Sequence, residues 1–131
     1  MANAYTLKVY PAGMSRSVYR TIRISGSDTL DELCAAILAS FDFINEHLYE
    51  FCMDNRLYSG LRFISYSEEG EPSTDIELER LDLIKGQNFL LHYDFGDDWI
   101  FTIHVQKIED ETEKHAPMLL KSKGNIEQYP D

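Results

Sequence analysis

The most constraining feature of this sequence is a single, well-marked amphipathic helix set between segments that alternate like β-strands. Thr29 and Glu32 have the spacing of a capping box, in which two side chains satisfy free amide groups at the start of a helix. Apolar side chains then recur at helical spacing, at Leu30, Leu33, Cys34, Ile37, Leu38 and Phe41. The pattern predicts one helix with one buried face.

Alternating apolar and polar residues flank this helix on both sides. Residues 5–9 and 18–24 alternate in this way, and Pro11 and Gly13 between them favour a turn. Residues 47–54 and 61–66 are short and rich in aromatic side chains, which is typical of strands. We therefore predict an α+β fold, a mostly antiparallel sheet with one main helix packed on it. The predicted order is strand, strand, helix, strand, strand, short helix and β-hairpin.

The segment before the final hairpin predicts a loop followed by a short helix. Residues 67–75 are polar and acidic, and Asp75 can cap a helix over residues 76–84 that ends at Gly86. The length of 131 residues predicts a single domain over residues 1–131. We expect residues 109–131 to form a less regular tail.

The register of the C-terminal hairpin depends on where its apolar residues are buried. These alternate in both strands, at Phe89, Leu91, Tyr93 and Phe95 and at Trp99, Phe101, Ile103 and Val105. An odd-length connection, for example residues 96–98 with Phe95 opposite Trp99, places all eight on one face. Because burial of a large apolar side chain contributes ~1.5–3 kcal/mol, we expect this register. The other face then carries His92, Asp94, Thr102 and His104 beside Leu90 and Ile100.

Charge limits the classes of partner. Lysine and arginine number 12 against 23 acidic residues, and the formal net charge of −11 repels phosphate backbones and anionic lipid at long range. Neither nucleic acid nor a membrane is therefore expected as a partner. A local basic strip at Lys8, Arg16, Arg20 and Arg23 is an alternative to an ordinary solvated strand face.

Cysteine usage and the N-terminus predict a cytoplasmic protein. The N-terminal residues alternate like a strand and do not resemble an export signal. No apolar run approaches the ~18 residues that a membrane crossing needs. Cys34 and Cys52 lack the C-x-x-C spacing of a zinc site, so we expect two buried free thiols in a reducing compartment.

Arg20 shares a predicted strand face with Val18, Ile22 and Ile24. A guanidinium can remain among such residues only if it is paired or lies at the rim of the core, so an acidic partner is expected. The candidates for that partner are Asp94, Asp97, Asp98 and Glu50. A structural pair is the first interpretation, and a ligand-binding arginine is the second.

Metal ligation has weak candidates. His92, His104 and Asp94 lie on one face in the preferred hairpin register, although histidines on an outer hairpin face are usually only solvated. The letters Asp94-Phe95-Gly96 match a kinase magnesium loop, but the chain lacks the glycine-rich loop and catalytic loop that accompany it. We predict no cofactor and no metal.

Four stretches, taken in order, carry a family resemblance. They are "SVYRTI" (17–22), "TLDELCAAI" (29–37), "HLYEF" (47–51) and "YDFGDDW" (93–99). Their types and order resemble the plasmid pRiA4b ORF-3-like family. Four positions depart from its pattern. Tyr19 replaces Trp, Thr21 replaces a frequent second Arg, Cys34 replaces a frequent His, and Phe101 replaces a common His two residues after the Trp.

The resemblance implies a compact α+β domain that occurs with plasmid and mobile-element genes and has no settled activity. Together with Asp98, the family's recurrent polar and aromatic positions define a polar constellation of Arg20, His47, Glu50, Tyr93, Asp94, Asp97, Asp98 and Trp99. Our first hypothesis is a non-enzymatic binding domain for an unknown protein or small molecule, which an exposed aromatic patch beside the constellation would favour. The alternative is a small metal-assisted or carboxylate-based hydrolase, which needs Asp94 or Asp97 and two further ligands in one pocket.

Overall fold

The computed structural model describes residues 2–58 and 60–130 and contains one seven-stranded sheet. Its strands are β1 (Ala2–Pro11), β2 (Tyr19–Ser25), β3 (Tyr49–Cys52), β4 (Arg62–Ile64), β5 (Asn88–Tyr93), β6 (Trp99–Glu111) and β7 (Met118–Lys123). The order across the sheet is β4-β3-β5-β6-β1-β2-β7, and all neighbours are antiparallel. The α+β class with a mostly antiparallel sheet is confirmed.

Helix α1 (Leu30–Ser40) forms where the sequence predicts it. The Thr29 hydroxyl oxygen accepts from the Glu32 amide at 3.2 Å, and a Glu32 carboxylate oxygen accepts from the Thr29 amide at 3.3 Å. All six residues of the predicted apolar stripe are buried against the sheet. With 11 residues, α1 is too short to cross a bilayer, and no helix in residues 2–58 and 60–130 has the length and apolar character for that.

The C-terminal hairpin keeps the predicted parity but not the predicted pairing. Tyr93 pairs with Trp99, so the connection comprises residues 94–98 rather than 96–98, and the proposed pairing of Phe95 with Trp99 is wrong. Asp94 and Asp98 have φ of 62° and 52°, which ends each strand early. Because five is also an odd number, the other seven predicted apolar residues still face the core. Phe95 lies on the opposite face and is partly exposed.

The predicted helix over residues 76–84 is wrong in length and type. Only a 3₁₀ helix at Leu78–Arg80 is present, and the residue before it is Glu77. Main-chain contacts with other segments hold the preceding residues extended, since Leu30 donates to the Ile76 oxygen at 3.0 Å and Thr29 bridges to Glu77. Asp82, with φ of 54°, then prevents the helix from continuing.

The segment 109–131 is more regular than predicted. Strand β6 continues to Glu111, and β7 pairs with β2 at one edge of the sheet, with a register shift between Thr21 and Ile22. The expectation of an irregular tail is therefore wrong up to Lys123. The apolar content of β7 did not reveal it, because all six of its residues are exposed.

The two faces of the sheet differ. One face carries α1, the 3₁₀ helix and the core, which includes Leu7, Ile22 and Phe51. The opposite face, which we call the open face, carries polar side chains from every strand. Cys34 and Cys52 are both buried and free, as predicted.

Candidate functional site

Arg20 is buried, as its strand position predicts, but the prediction of an acidic partner is wrong. Its side chain forms no ion pair with Asp94, Asp97, Asp98 or Glu50 within the described ranges. The guanidinium instead donates to main-chain oxygens of Ser40 at 2.7 Å, Tyr19 at 2.9 Å, Lys123 at 3.0 Å and Gly124 at 2.9 Å, and to Asn125 Oδ1 at 3.2 Å.

This arrangement makes Arg20 a structural junction. Its guanidinium carbon lies 4.4 Å from the ring centroid of Phe41, the residue that follows α1. Burial lowers the pKa of the guanidinium, and the negative charge of Asp42 opposes that shift. The side chain joins the end of α1 to the end of β7, so the structural interpretation of Arg20 accounts for its contacts without a ligand.

Asp94 shapes the hairpin connection. Its Oδ1 accepts from the amides of Gly96 at 3.1 Å and Asp97 at 3.4 Å, which is the pattern of an Asx turn. Its main-chain oxygen accepts from the Asp98 amide at 2.6 Å. The other carboxylate oxygen lies 3.4 Å from Nε2 of His47. Asp94 is therefore largely occupied by contacts within the turn.

Tyr93 anchors the segment before β3. Its hydroxyl donates to the main-chain oxygen of Ile44 at 2.7 Å and accepts from the amides of Glu46 at 2.9 Å and His47 at 3.2 Å. The imidazole of His47 lies 2.7 Å from the hydroxyl of Tyr129. A hydrogen bond to Glu46, with burial as a second cause, raises the pKa of Tyr129 to about 12.

Asp97 and Trp99 lie apart from these contacts. Trp99 is partly buried and packs edge-on against Phe43, with ring centroids 4.9 Å apart. Asp97 is exposed and lines a shallow depression with Trp99, Gln128, Tyr129 and Pro130. Neither residue contacts Arg20 or Glu50, so the structure divides the predicted constellation into separate groups.

Glu50 and Asp98 form a different group around His92, which we call the imidazole cluster. His92 Nδ1 lies 3.0 Å from Glu50 Oε2, and His92 Nε2 lies 2.7 Å from Asp98 Oδ1. Glu50 also accepts from Arg62 Nη1 at 3.1 Å. Glu50 and His92 are each 2% exposed, whereas the side chain of Asp98 is 56% exposed. The cluster thus runs from a buried carboxylate to the surface.

Aromatic side chains surround the imidazole cluster on the open face. Phe95 packs against the His92 ring with centroids 4.9 Å apart, Tyr66 contacts Phe95 at 5.8 Å, and Tyr58 contacts His92 at 6.4 Å. These rings and the cluster line a cavity of about 290 Å³, which we call the aromatic cleft. All three rings are partly exposed, and Tyr58 is 76% exposed.

The weak metal candidates are not brought together. His104 Nδ1 lies 2.6 Å from Oδ1 of Asn88. Asn88 is four residues from His92 along β5, so the two histidines are apart. The carboxylate of Asp94 lies near His47 instead. His92 is buried and not solvated, because it belongs to the imidazole cluster. Within residues 2–58 and 60–130, no three His, Cys, Asp or Glu side chains are grouped as metal ligands. The arrangement that the hydrolase alternative needs around Asp94 or Asp97 is not found there.

Sequence reasoning missed Tyr58, Arg62 and Tyr66. Arg62 lies two residues from Ile64, which pairs with Glu50, so Arg62 and Glu50 share a face. The pairing of β3 with β4 would have revealed this neighbour. Tyr66 ends the segment 61–66 that the sequence predicts as a strand, although β4 stops at Ile64. Tyr58 belongs to the connection before β4, and no periodic signal marks its approach to the cleft.

The sheet, helix α1 and the cleft on the open face define a small α+β domain. Residues 3–128 match the family described as "Plasmid pRiA4b ORF-3-like protein", and the chain belongs to this family. The predicted resemblance is confirmed.

Two relatives extend this result. The chain is 26% identical over 133 residues to Uncharacterized protein y4hQ of Sinorhizobium fredii. This match covers 95% of the chain and 64% of that relative. The chain thus spans less than two thirds of that protein's length. It is also similar to the crystal structure of a protein of unknown function, MM3350, from Methanosarcina mazei Go1. That match has a TM-score of 0.75 and 25% identity and covers 93% of this chain and 70% of the other.

Proposed function

We propose that this protein is a non-enzymatic binding domain that receives a cationic side chain or a small organic cation in the aromatic cleft. The observation that carries the proposal is the cleft itself, in which exposed rings of Tyr58, Tyr66 and Phe95 stand around the carboxylates of Glu50 and Asp98. Aromatic faces and carboxylates both attract organic cations.

The position of Arg62 supports this choice of ligand. Its guanidinium already lies against Glu50 with one contact at 3.1 Å, and 43% of its side chain is exposed. A single, partly exposed contact is weaker than a bidentate one, so an incoming guanidinium or ammonium can compete for Glu50. The volume of about 290 Å³ fits one side chain or a small molecule.

The net charge of −11 also favours a cationic partner. We expect this partner to be a protein or small molecule and not nucleic acid or a membrane. The two buried free thiols fit a reducing cytoplasm, where we place the protein. Association with plasmids or other mobile elements is the expectation that the family description supports.

Binding of N-acetyl-arginine amide, followed by amide NMR chemical shifts, tests the proposal. We expect saturable shifts at Phe95, Asp98 and Tyr66, and none with N-acetyl-aspartate amide. Phe95→Ala and Asp98→Asn should each weaken binding at least fivefold. Ile84→Ala, which shortens a 66% exposed apolar side chain outside the cleft, is the matched control and should bind normally. Equal shifts with the aspartate compound, or unaltered binding by Phe95→Ala, would contradict the proposal.

A further inference from the structure

The open face carries a second polar feature, which lies toward the β7 edge of the sheet, whereas the aromatic cleft lies toward the β4 edge. Directly opposed residues of five neighbouring strands form one row across that face, in the order Asn88, His104, Lys8, Thr21 and Lys121. Opposed residues of antiparallel strands point to the same face, so these side chains stand together. Lys8 and Lys121 lie on either side of Thr21, about 10 Å apart at their Cα atoms.

Tyr19 brings the two ammonium groups toward one point. It lies two residues from Thr21 on β2 and therefore on the same face. Lys8 Nζ is 4.8 Å from the centroid of the Tyr19 ring, and Lys121 Nζ is 6.0 Å from it. Both distances are within the range of cation–π attraction. The ring thus holds two cations near a shared cavity of about 360 Å³, which Thr21 and Gln106 also line.

In the part of the chain that the structure describes, no carboxylate neutralises these two lysines. Within residues 2–58 and 60–130, neither Lys8 nor Lys121 has an acidic partner within 4.0 Å, and the row of five holds no acidic residue. The acidic residues nearest along the strands, Glu109 and Glu111, are paired with Arg23 at 3.5 and 3.6 Å. An unpaired double cation is unusual in a chain with 23 acidic and 12 basic residues.

We propose that Lys8, Thr21 and Lys121 form a binding site for a phosphate group, carried by a small molecule. Two ammonium groups complement the double negative charge of a phosphate, and the Thr21 hydroxyl and Gln106 amide are hydrogen-bond donors beside it. The acidic remainder of the chain repels an extended polyanion, so a single phosphate group fits the site better than a nucleic acid. The site is separate from the aromatic cleft and does not depend on it.

Titration with inorganic phosphate at constant ionic strength, followed by amide NMR chemical shifts, tests this site. We expect saturable shifts at Lys8, Thr21 and Lys121, with chloride at the same ionic strength giving none. Malonate, a dianion with two carboxylates, should bind at least fivefold more weakly than phosphate. Shifts of equal size with chloride, or tighter binding of malonate, would overturn the assignment.

A pair of double variants separates local binding from overall charge. Lys8→Gln with Lys121→Gln should weaken phosphate binding at least tenfold. Lys85→Gln with Lys107→Gln changes the net charge by the same amount at exposed positions outside the cavity, and should leave binding within twofold. If both double variants lose affinity equally, the effect is one of net charge and the site is wrong. Circular dichroism of each variant verifies that the fold is retained.

Discussion

Arg20 Nε donates to the main-chain oxygen of Ser40 at 2.7 Å, so a side chain on β2 closes the C-terminal end of α1. The same guanidinium reaches the oxygens of Lys123 and Gly124 at the end of β7. One buried cation therefore fixes the helix and the last strand to the same point of the sheet.

Replacement of Arg20 by Met should destabilise the protein by about 3 kcal/mol, because several buried oxygens lose their donor. Chemical denaturation measures this loss, and the thermal midpoint should fall by about 10 °C. Arg16→Met, at an exposed position, should stay within about 0.5 kcal/mol. Binding of N-acetyl-arginine amide to folded Arg20→Met should be unchanged. An Arg20→Met protein of normal stability would refute the structural role.

Gly124 and Gly13 form a matched pair of glycines. Both have positive φ, of 67° and 83°, but a Cβ at Gly124 would overlap the main-chain oxygen of Ser17, whereas one at Gly13 meets nothing within 4 Å. Gly13→Ala should cost about 1 kcal/mol from backbone strain alone. Gly124→Ala adds a steric clash and should cost at least about 2 kcal/mol more. Urea denaturation of both variants tests the difference, and equal losses would show that β7 can move to accommodate the methyl group.

Asp94 offers a test of the hairpin turn. Asp94→Asn keeps an oxygen that accepts from Gly96 and tolerates the left-handed backbone, so its stability should stay within about 0.5 kcal/mol. Asp94→Ala removes the accepting oxygen and places a residue that disfavours the left-handed backbone, so the free energy of unfolding should fall by about 2 kcal/mol. The free energy of unfolding in urea distinguishes the two. Equal destabilisation by both substitutions would mean that the carboxylate charge, and its contact with His47, matters more than the turn.

Alkaline pH should weaken the fold through its buried thiols. Burial raises the pKa of Cys52 from 9.0 to about 11 and also raises the pKa of Cys34. Between pH 9 and 11 the native state retains a proton on Cys52 that the unfolded chain releases, so the free energy of unfolding falls as pH rises. Between pH 8.0 and pH 10.5, Cys52 alone should lower the free energy of unfolding by about 2 kcal/mol.

Urea denaturation at pH 8.0 and pH 10.5 measures this effect. Cys52→Ala should lose less stability between these two pH values than the unaltered protein does. Tyr5 and Tyr49, whose pKa values burial also raises, contribute equally to both proteins and cancel in the comparison. A pH dependence identical in the two proteins would contradict the buried-thiol explanation.

Local patterns in the sequence predicted some elements well, and the physical reason is clear in each case. The capping box of Thr29 and Glu32 acts within four residues, so α1 could be located without knowledge of the rest. The odd parity of the hairpin follows from burial of alternate residues, which does not depend on the details of the turn. The length of the turn depended instead on two aspartates in left-handed conformation, Asp94 and Asp98.

Contacts between distant segments could not be predicted in the same way. The acceptors of Arg20 are mostly main-chain oxygens, and a carbonyl carries no signature in the sequence, so a search for acidic partners failed. The aromatic cleft depends on the paths of two connections beside β4, which carry Tyr58 and Tyr66. Strand β7 was missed because an exposed edge strand needs no apolar alternation.

The strand order has a consequence for synthesis of the chain. Strand β1 lies between β2, its neighbour in sequence, and β6, which begins at Trp99. While a ribosome makes the chain, about 75 further residues follow the N-terminal hairpin before β6 begins. Their synthesis takes about 4–15 s at ordinary rates of elongation. During that interval one edge of β1 is unpaired, and an unpaired strand edge can pair with another chain, so the nascent hairpin is open to aggregation until β6 is made.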